Sequence, residues 1–185
     1  MDKISRINKI DSITEDFLNE FGELTEEKFN LKPDNKSWSI AQNIHHLIVI
    51  NESYYPVIKA VREDKTKIPF IGHFGFIVNM TGNMILNAVK PDRKKKMKTF
   101  PIWEPASDNF SKDILKKFSL HQEELKQLIN NSSDLISKGT VISSPANKNI
   151  VYKLDTAFDI IITHEQRHFE QAKEVKKIIE KAKKI

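Results

Sequence analysis

His164 and His168 stand four residues apart in the string His164-Glu165-Gln166-Arg167-His168. On an α-helix such a pair projects from one face, about one turn apart. Ala157, Ile161, Ala172 and Val175 share that face, so both imidazoles point towards a core. A buried polar group without a partner costs about 1 to 3 kcal/mol. Two on one apolar stripe therefore need hydrogen bonds, a metal ion, or both. The pair alone leaves structural hydrogen bonding and metal binding evenly open. His46 strengthens the metal reading, because it lies in a segment that is apolar nearly all round, in line with Ile50, Val57 and Val61. One plus two imidazoles from facing helices make a facial three-nitrogen site for a divalent metal, with positions left open for water or substrate. Open positions imply chemistry rather than a structural clamp.

Two further histidines compete for attention. His45 is adjacent to His46 but projects about 100° away, with Ala41, Val49 and Glu52, which assigns it to packing or to support of a ligand. His73 lies in a glycine-containing stretch and reads as a loop histidine, with a fourth-ligand role as the alternative. The same string also satisfies H-E-x-x-H, the zinc-peptidase pattern in which Glu165 would be the general base. No histidine follows it as a third ligand, and no strands suggest a peptidase cleft. Glu165 is thus a candidate catalytic or ligand-supporting residue, with a surface or salt-bridge role as the plainer reading.

The elements that must position these residues read as helices. The chain has 185 residues, enough for one domain with a real core, and we take residues 1–185 as that domain. Glycines number 5 and prolines 7, mostly between residues 69 and 105, which favours long helices elsewhere. Ser12-Ile13-Thr14-Glu15 reads as a capping box for a first helix over about residues 12–30. A second spans residues 38–61, broken near Ser53 because Pro56 lacks an N–H and its ring clashes with the preceding turn. Residues 64–108 form a long connection with a helical piece across residues 76–89. A third helix covers about residues 108–130. The fourth starts near Thr156-Ala157-Phe158-Asp159, another capping-box pattern, and carries His164 and His168. Four such helices with no strand pattern predict an all-α four-helix bundle, with a long crossover between helices two and three that places them parallel.

Composition excludes several functions. Without cysteine there is no disulfide, no thiolate ligand and no protein thiol nucleophile, so sulfur chemistry would need a low-molecular-weight thiol. The start of the chain shows no apolar leader, and mean hydropathy is -0.47, which together predict a cytoplasmic protein. Residues 68–86 are the most lipid-like stretch, but their polar and glycine residues argue against a membrane span. The net charge of +5 comes largely from Arg93-Lys94-Lys95-Lys96-Met97-Lys98 and from residues 173–184. The first run has no interleaved aromatic residue to stack on bases, and the second mixes Glu174 and Glu180 with lysines near a helix end. Neither requires nucleic acid. The apolar crossover, residues 70–86, would either cap the pocket or form a homodimer surface.

Trp38-Ser39-Ile40 leading to His46-Leu47, together with the closing His164-Glu165-Gln166-Arg167-His168-Phe169-Glu170-Gln171, resembles the DinB-like family, also called the YfiT-like metal-dependent hydrolases. The likeness covers most of the chain. It implies a metal held by His46, the histidine that precedes leucine, with His164 and His168. It further implies zinc or nickel, which would lower the pKa of a bound thiol or water, as in family members that use bacillithiol or mycothiol. Ser143-Ser144-Pro145 resembles the family's His-Pro segment with serine in place of histidine. Trp38 matches a recurrent position and reads as a packing anchor where the second helix begins. Arg167 and Gln171 match as well, to orient ligands or fix packing. Two functions follow for comparison: a metal-dependent hydrolase or thiol S-transferase acting on a small molecule, and a non-catalytic metal-binding or sensor bundle.

Overall fold

The computed structural model describes residues 1–92, 98–106 and 109–182. Most of the basic run, residues 93–97, and the end of the lysine-rich tail lie outside the described residues. Among the described residues the chain folds as eight helices and one hairpin. Four helices are long or central: α1 (Lys3–Phe21), α3 (Ile40–Glu52), α6 (Ile114–Asn131) and α8 (Leu154–Ala182). Both α1 and α3 pack against α6 and α8, so the four enclose a common core. Short helices α2 (Glu26–Asn30), α4 (Tyr54–Arg62) and α7 (Ser133–Ser137) extend their ends, and α5 (Gly75–Ala88) lies on the outside against α8.

Local chemistry sets the boundaries, and several differ from expectation. The first helix begins at Lys3 rather than Ser12. Asp2 caps it by accepting from the Ser5 N–H, and the buried row Arg6, Ile10, Ile13, Phe17, Phe21 carries the helical period upstream. Ser12 is therefore inside a helix and caps nothing. Nor does Asp159 close a capping box on α8. Its carboxylate accepts from the buried Arg6 Nε at 2.8 Å and from the terminal amine at 2.9 Å, tying α1 to α8. α3 has a complete capping box instead: the Ser39 hydroxyl accepts from the Gln42 N–H, and the Gln42 side chain accepts from the Ser39 N–H. Helix α3 stops at Glu52 and α4 resumes at Tyr54, because Pro56 has no N–H to offer the Glu52 carbonyl.

The absence of strands is corrected. β1 (Val141–Ser144) pairs antiparallel with β2 (Asn147–Lys153), and Ser143-Ser144-Pro145 forms the end of β1 and its turn. The hairpin is short and its inward residues few, Ile142, Ser144, Val151 and Tyr152, so periodicity alone gives little warning. It matters because β2 seats α5. At Gly82 an added Cβ would lie 2.9 Å from Thr156 Cγ2 and 3.3 Å from Tyr152 Cβ, so the helix reaches its seat only without a side chain there. His45 meets Phe110 while Tyr55 meets His121, so α3 with α4 runs in the same direction as α6. No helix among the described residues is long and apolar enough to cross a membrane.

Candidate metal centre

Helices α3 and α8 bring His46, His164 and His168 together. One ring nitrogen of each lies within 4.8 Å of the other two. Ring centroids are 5.2 Å apart for His46 and His164, 4.7 Å for His46 and His168, and 4.4 Å for His164 and His168. His46 and His168 are buried, whereas His164 is half-buried and forms the open side.

Neighbouring groups decide which nitrogen two of the rings offer. The His46 Nδ1 stands 2.6 Å from the Trp103 carbonyl, an acceptor only, so Nδ1 carries the proton and Nε2 the lone pair. At His168, Nδ1 donates to Asn43 Oδ1 at 2.8 Å, while the Asn43 amide nitrogen donates to the Ser39 carbonyl and fixes the amide's sense. The His168 and His164 Nε2 atoms are 3.0 Å apart; because His168 carries its proton on Nδ1, its Nε2 accepts there from the His164 Nε2–H in the metal-free chain. Such partners fix tautomer and ring orientation and raise ligand basicity. Burial also keeps the rings neutral. It draws His46 down to about 4, with the Trp103 carbonyl opposing and His45 assisting. Burial, His46 and Arg167 lower His164, and burial, its two partner histidines and Arg167 lower His168. Neutral imidazoles with converging ring nitrogens fit a divalent cation, which would take the place of the proton between His164 and His168, and imidazole suits zinc, nickel, copper or iron.

The helix break serves this centre. Ser53, exposed as a junction by Pro56, accepts from the Trp103 Nε1–H at 3.0 Å, which holds the Trp103 carbonyl against His46. Trp38 packs on the cluster itself: its half-buried ring lies 4.8 Å from His46 and stacks at 5.9 Å on His168. Its outer side lines an open recess of about 310 Å³ with Lys32, Asn35, Lys36 and Thr99.

The remaining candidates scatter. Glu165 is completely buried and, among the described residues, is neither a surface residue nor one partner of a salt bridge; its oxygens accept from Asn51 Nδ2 at 2.7 Å and Gln122 Nε2 at 3.0 Å. Burial raises its carboxyl to about 7 against the lowering effect of those two donors. With both oxygens so engaged, it does not stand among the three histidines as a peptidase base would. His45 is half-buried, accepts weakly from the Ala106 N–H at 3.4 Å and packs on Phe110. His73 is exposed on a 3-10 turn and is no member of the cluster. Arg167 is buried and donates to the Ala88 and Lys90 carbonyls, fastening the end of α5 to α8, while Gln171 is exposed.

Asn43, Trp103 and the Asn51–Gln122–Glu165 group escaped the sequence reading. Asn43 had a usable signal, since it sits three residues before His46 on the same face. Trp103 acts through a backbone carbonyl, for which no residue type codes. His121, buried beside Tyr55, was legible only as one more position on the apolar face of α6.

A family profile for the DinB superfamily matches residues 10–172. The chain belongs to the DinB superfamily. It is also 28% identical over 165 residues to the uncharacterized protein YuaE of Bacillus subtilis (strain 168), covering 89% of this chain and 93% of that one. No solved structure matches the chain.

Proposed function

We propose that this DinB-superfamily chain is a cytoplasmic enzyme that holds one divalent metal ion, zinc or nickel, on the Nε2 atoms of His46, His164 and His168, and that it hydrolyses a small electrophile or transfers a thiol to it. The observation that carries the reading is the convergence of three neutral imidazoles, two with their Nδ1 atoms already committed to Trp103 and Asn43. Three protein ligands leave positions for a reactant. When bound, the metal supplies Lewis acidity, which makes a water or thiol nucleophilic near neutral pH. In the hydrolytic form, the oxygen of water bonds to the electrophilic carbon and its proton leaves with the departing group. In the transfer form, the sulfur of a low-molecular-weight thiol makes that bond, and its proton follows the same course. The absence of cysteine is in keeping with a thiol that comes from outside the chain. The chain's own contribution is orientation: Asn43 and the Trp103 carbonyl aim two ligands, and Trp38 covers them from one side. The ring of contacts among α1, α3, α6 and α8 supports reading the frame as a four-helix bundle.

Untagged protein from rich medium is expected to contain one equivalent of metal by elemental analysis, and chelation should abolish turnover of electrophiles offered with water or low-molecular-weight thiols. No turnover by fully loaded protein would remove the enzyme in favour of a non-catalytic metal-binding bundle. If the protein carries no stoichiometric metal, and His164→Ala changes neither metal content nor Tm, both readings fall.

A further inference from the structure

Residues 68–89 contain no Asp, Glu, Lys or Arg, in a chain that is 30% charged overall. Phe70, Phe76, Met80 and Met84 stand outwards, 75%, 70%, 61% and 62% exposed. Phe76, Met80 and Met84 recur every four residues and make one stripe along α5. Phe74 joins this stripe to Phe70 through ring contacts at 5.2 and 6.4 Å. Beside it runs a second exposed row with the same period, Asn79, Asn83 and Asn87.

We propose that this face of α5 is the interface with a second copy of the chain, across a two-fold axis near Met80. Such an axis sets Phe76 of one copy against Met84 of the other, so the stripe meets itself in isologous fashion. The asparagine row is self-complementary for a chemical reason: each amide both donates and accepts, and two copies pair without any ion to neutralise. A charged protein partner would find no counter-charge here. The Lys or Arg that flanks the apolar face of a membrane-surface helix is replaced by asparagine, which disfavours lipid. Area agrees as well. At roughly 200 Å² per large side chain, the exposed parts of Phe70, Ile71, Phe74, Phe76, Met80 and Met84 amount to about 700 Å² per copy, close to the ~800 Å² that each partner gives to a stable interface. It exceeds the ~300 to 600 Å² of the largest patch on a typical monomer.

Sedimentation of the full chain should give twice its 21.5 kDa mass. Met80→Glu, which sets two carboxylates face to face, should weaken the dimer by at least about 100-fold and leave far-UV circular dichroism and metal content unchanged. Because the chain has no cysteine, Met80→Cys gives a unique thiol. A short bismaleimide should join two copies of it, and should fail with Leu120→Cys on exposed α6. A monomer throughout the micromolar range overturns the proposal, as does a dimer that survives Met80→Glu or cross-links only through Leu120→Cys. So does a monomer that co-sediments with anionic phospholipid vesicles, which would make the face a lipid surface.

Discussion

Replacing Asn43 separates a metal centre from a hydrogen-bonded histidine cluster. Asn43 touches no proposed coordination position; it only holds the His168 Nδ1–H at 2.8 Å and the Ser39 carbonyl. In Asn43→Leu the His168 Nδ1–H loses its acceptor inside the protein, at a cost of about 1 to 3 kcal/mol. For a domain of this size, 1 kcal/mol moves Tm by roughly 2 to 4 °C, so metal-free protein should melt lower by about 2 to 12 °C. Freed from its partner, His168 can turn or change tautomer, and loss of such a partner weakens metal binding by about 10- to 100-fold. Asn43→Asp should behave differently, since a carboxylate accepts the same proton more strongly and raises ligand basicity. Its metal affinity should equal or exceed that of the native chain, even though the Ser39 carbonyl loses one of its two donors and keeps only the residue-43 backbone N–H. His168→Ala should bind more weakly than either. Zinc affinity measured by chelator competition on the three variants checks the order. If Asn43→Leu and Asn43→Asp both bind as the native chain does, the orienting role is refuted, and if His168→Ala does so too, the centre itself is.

Acid should destabilise the metal-free protein. Burial holds His46 and His121 at about 4 against 6.5 in the unfolded chain, so between these values the unfolded chain binds more protons and stability rises with pH, by up to about 3 kcal/mol for each histidine. Glu165, raised from 4.5 to about 7, acts in the opposite sense, its contribution being lost as pH rises through 7, but it is one group against two, with His164 and His168 lowered as well. Tm should therefore drop from pH 6.5 to 4, and a flat profile would contradict the buried, neutral histidines. Glu165→Gln should match or exceed native stability above pH 7, because the new amide can donate to Asn51 Oδ1 or Gln122 Oε1, neither of which has a partner among the described residues; a loss of more than about 2 kcal/mol in chemical denaturation would show that the carboxylate itself is needed. Gly82→Ala should cost about 1 to 3 kcal/mol by overpacking α5 against Thr156 and Tyr152, whereas Gly75→Ala, with open space around the new methyl, should be neutral or gain up to about 1 kcal/mol. Equal melting temperatures for the two would mean that α5 is not seated through Gly82.

What could be read from the sequence was periodicity and local punctuation. Pro56 announces the break at Ser53, and the apolar rows of α3, α6 and α8 announce a helical core. Helix starts were less legible, because Ser12-Ile13-Thr14-Glu15 and Thr156-Ala157-Phe158-Asp159 have the letters of a capping box without its position. A cap exists only where the helix begins, and the first helix begins at a better site, Asp2, while Asp159 is claimed by Arg6 from a segment about 150 residues away. The hairpin was lost for a similar reason. A strand with two inward residues has too short a period to stand out, and β1 and β2 are recognised by pairing with each other, which no single window contains.

His164-Glu165-Gln166-Arg167-His168 concentrates the same lesson within one turn and a half of helix. Spacing told correctly that the two histidines share a face, and His46 lies across from that face. It could not tell where the residues between them go. Glu165 turns to Asn51 and Gln122, on α3 and α6, and Arg167 turns to the carbonyls that end α5. Four of these five consecutive positions thus engage three different neighbours, and only tertiary packing determines which. In a peptidase the glutamate of this pattern has to face the reactant. Here its buried carboxylate joins α3, α6 and α8, and Arg167 fastens α5 to α8, so both residues hold in place the helix that presents the two imidazoles.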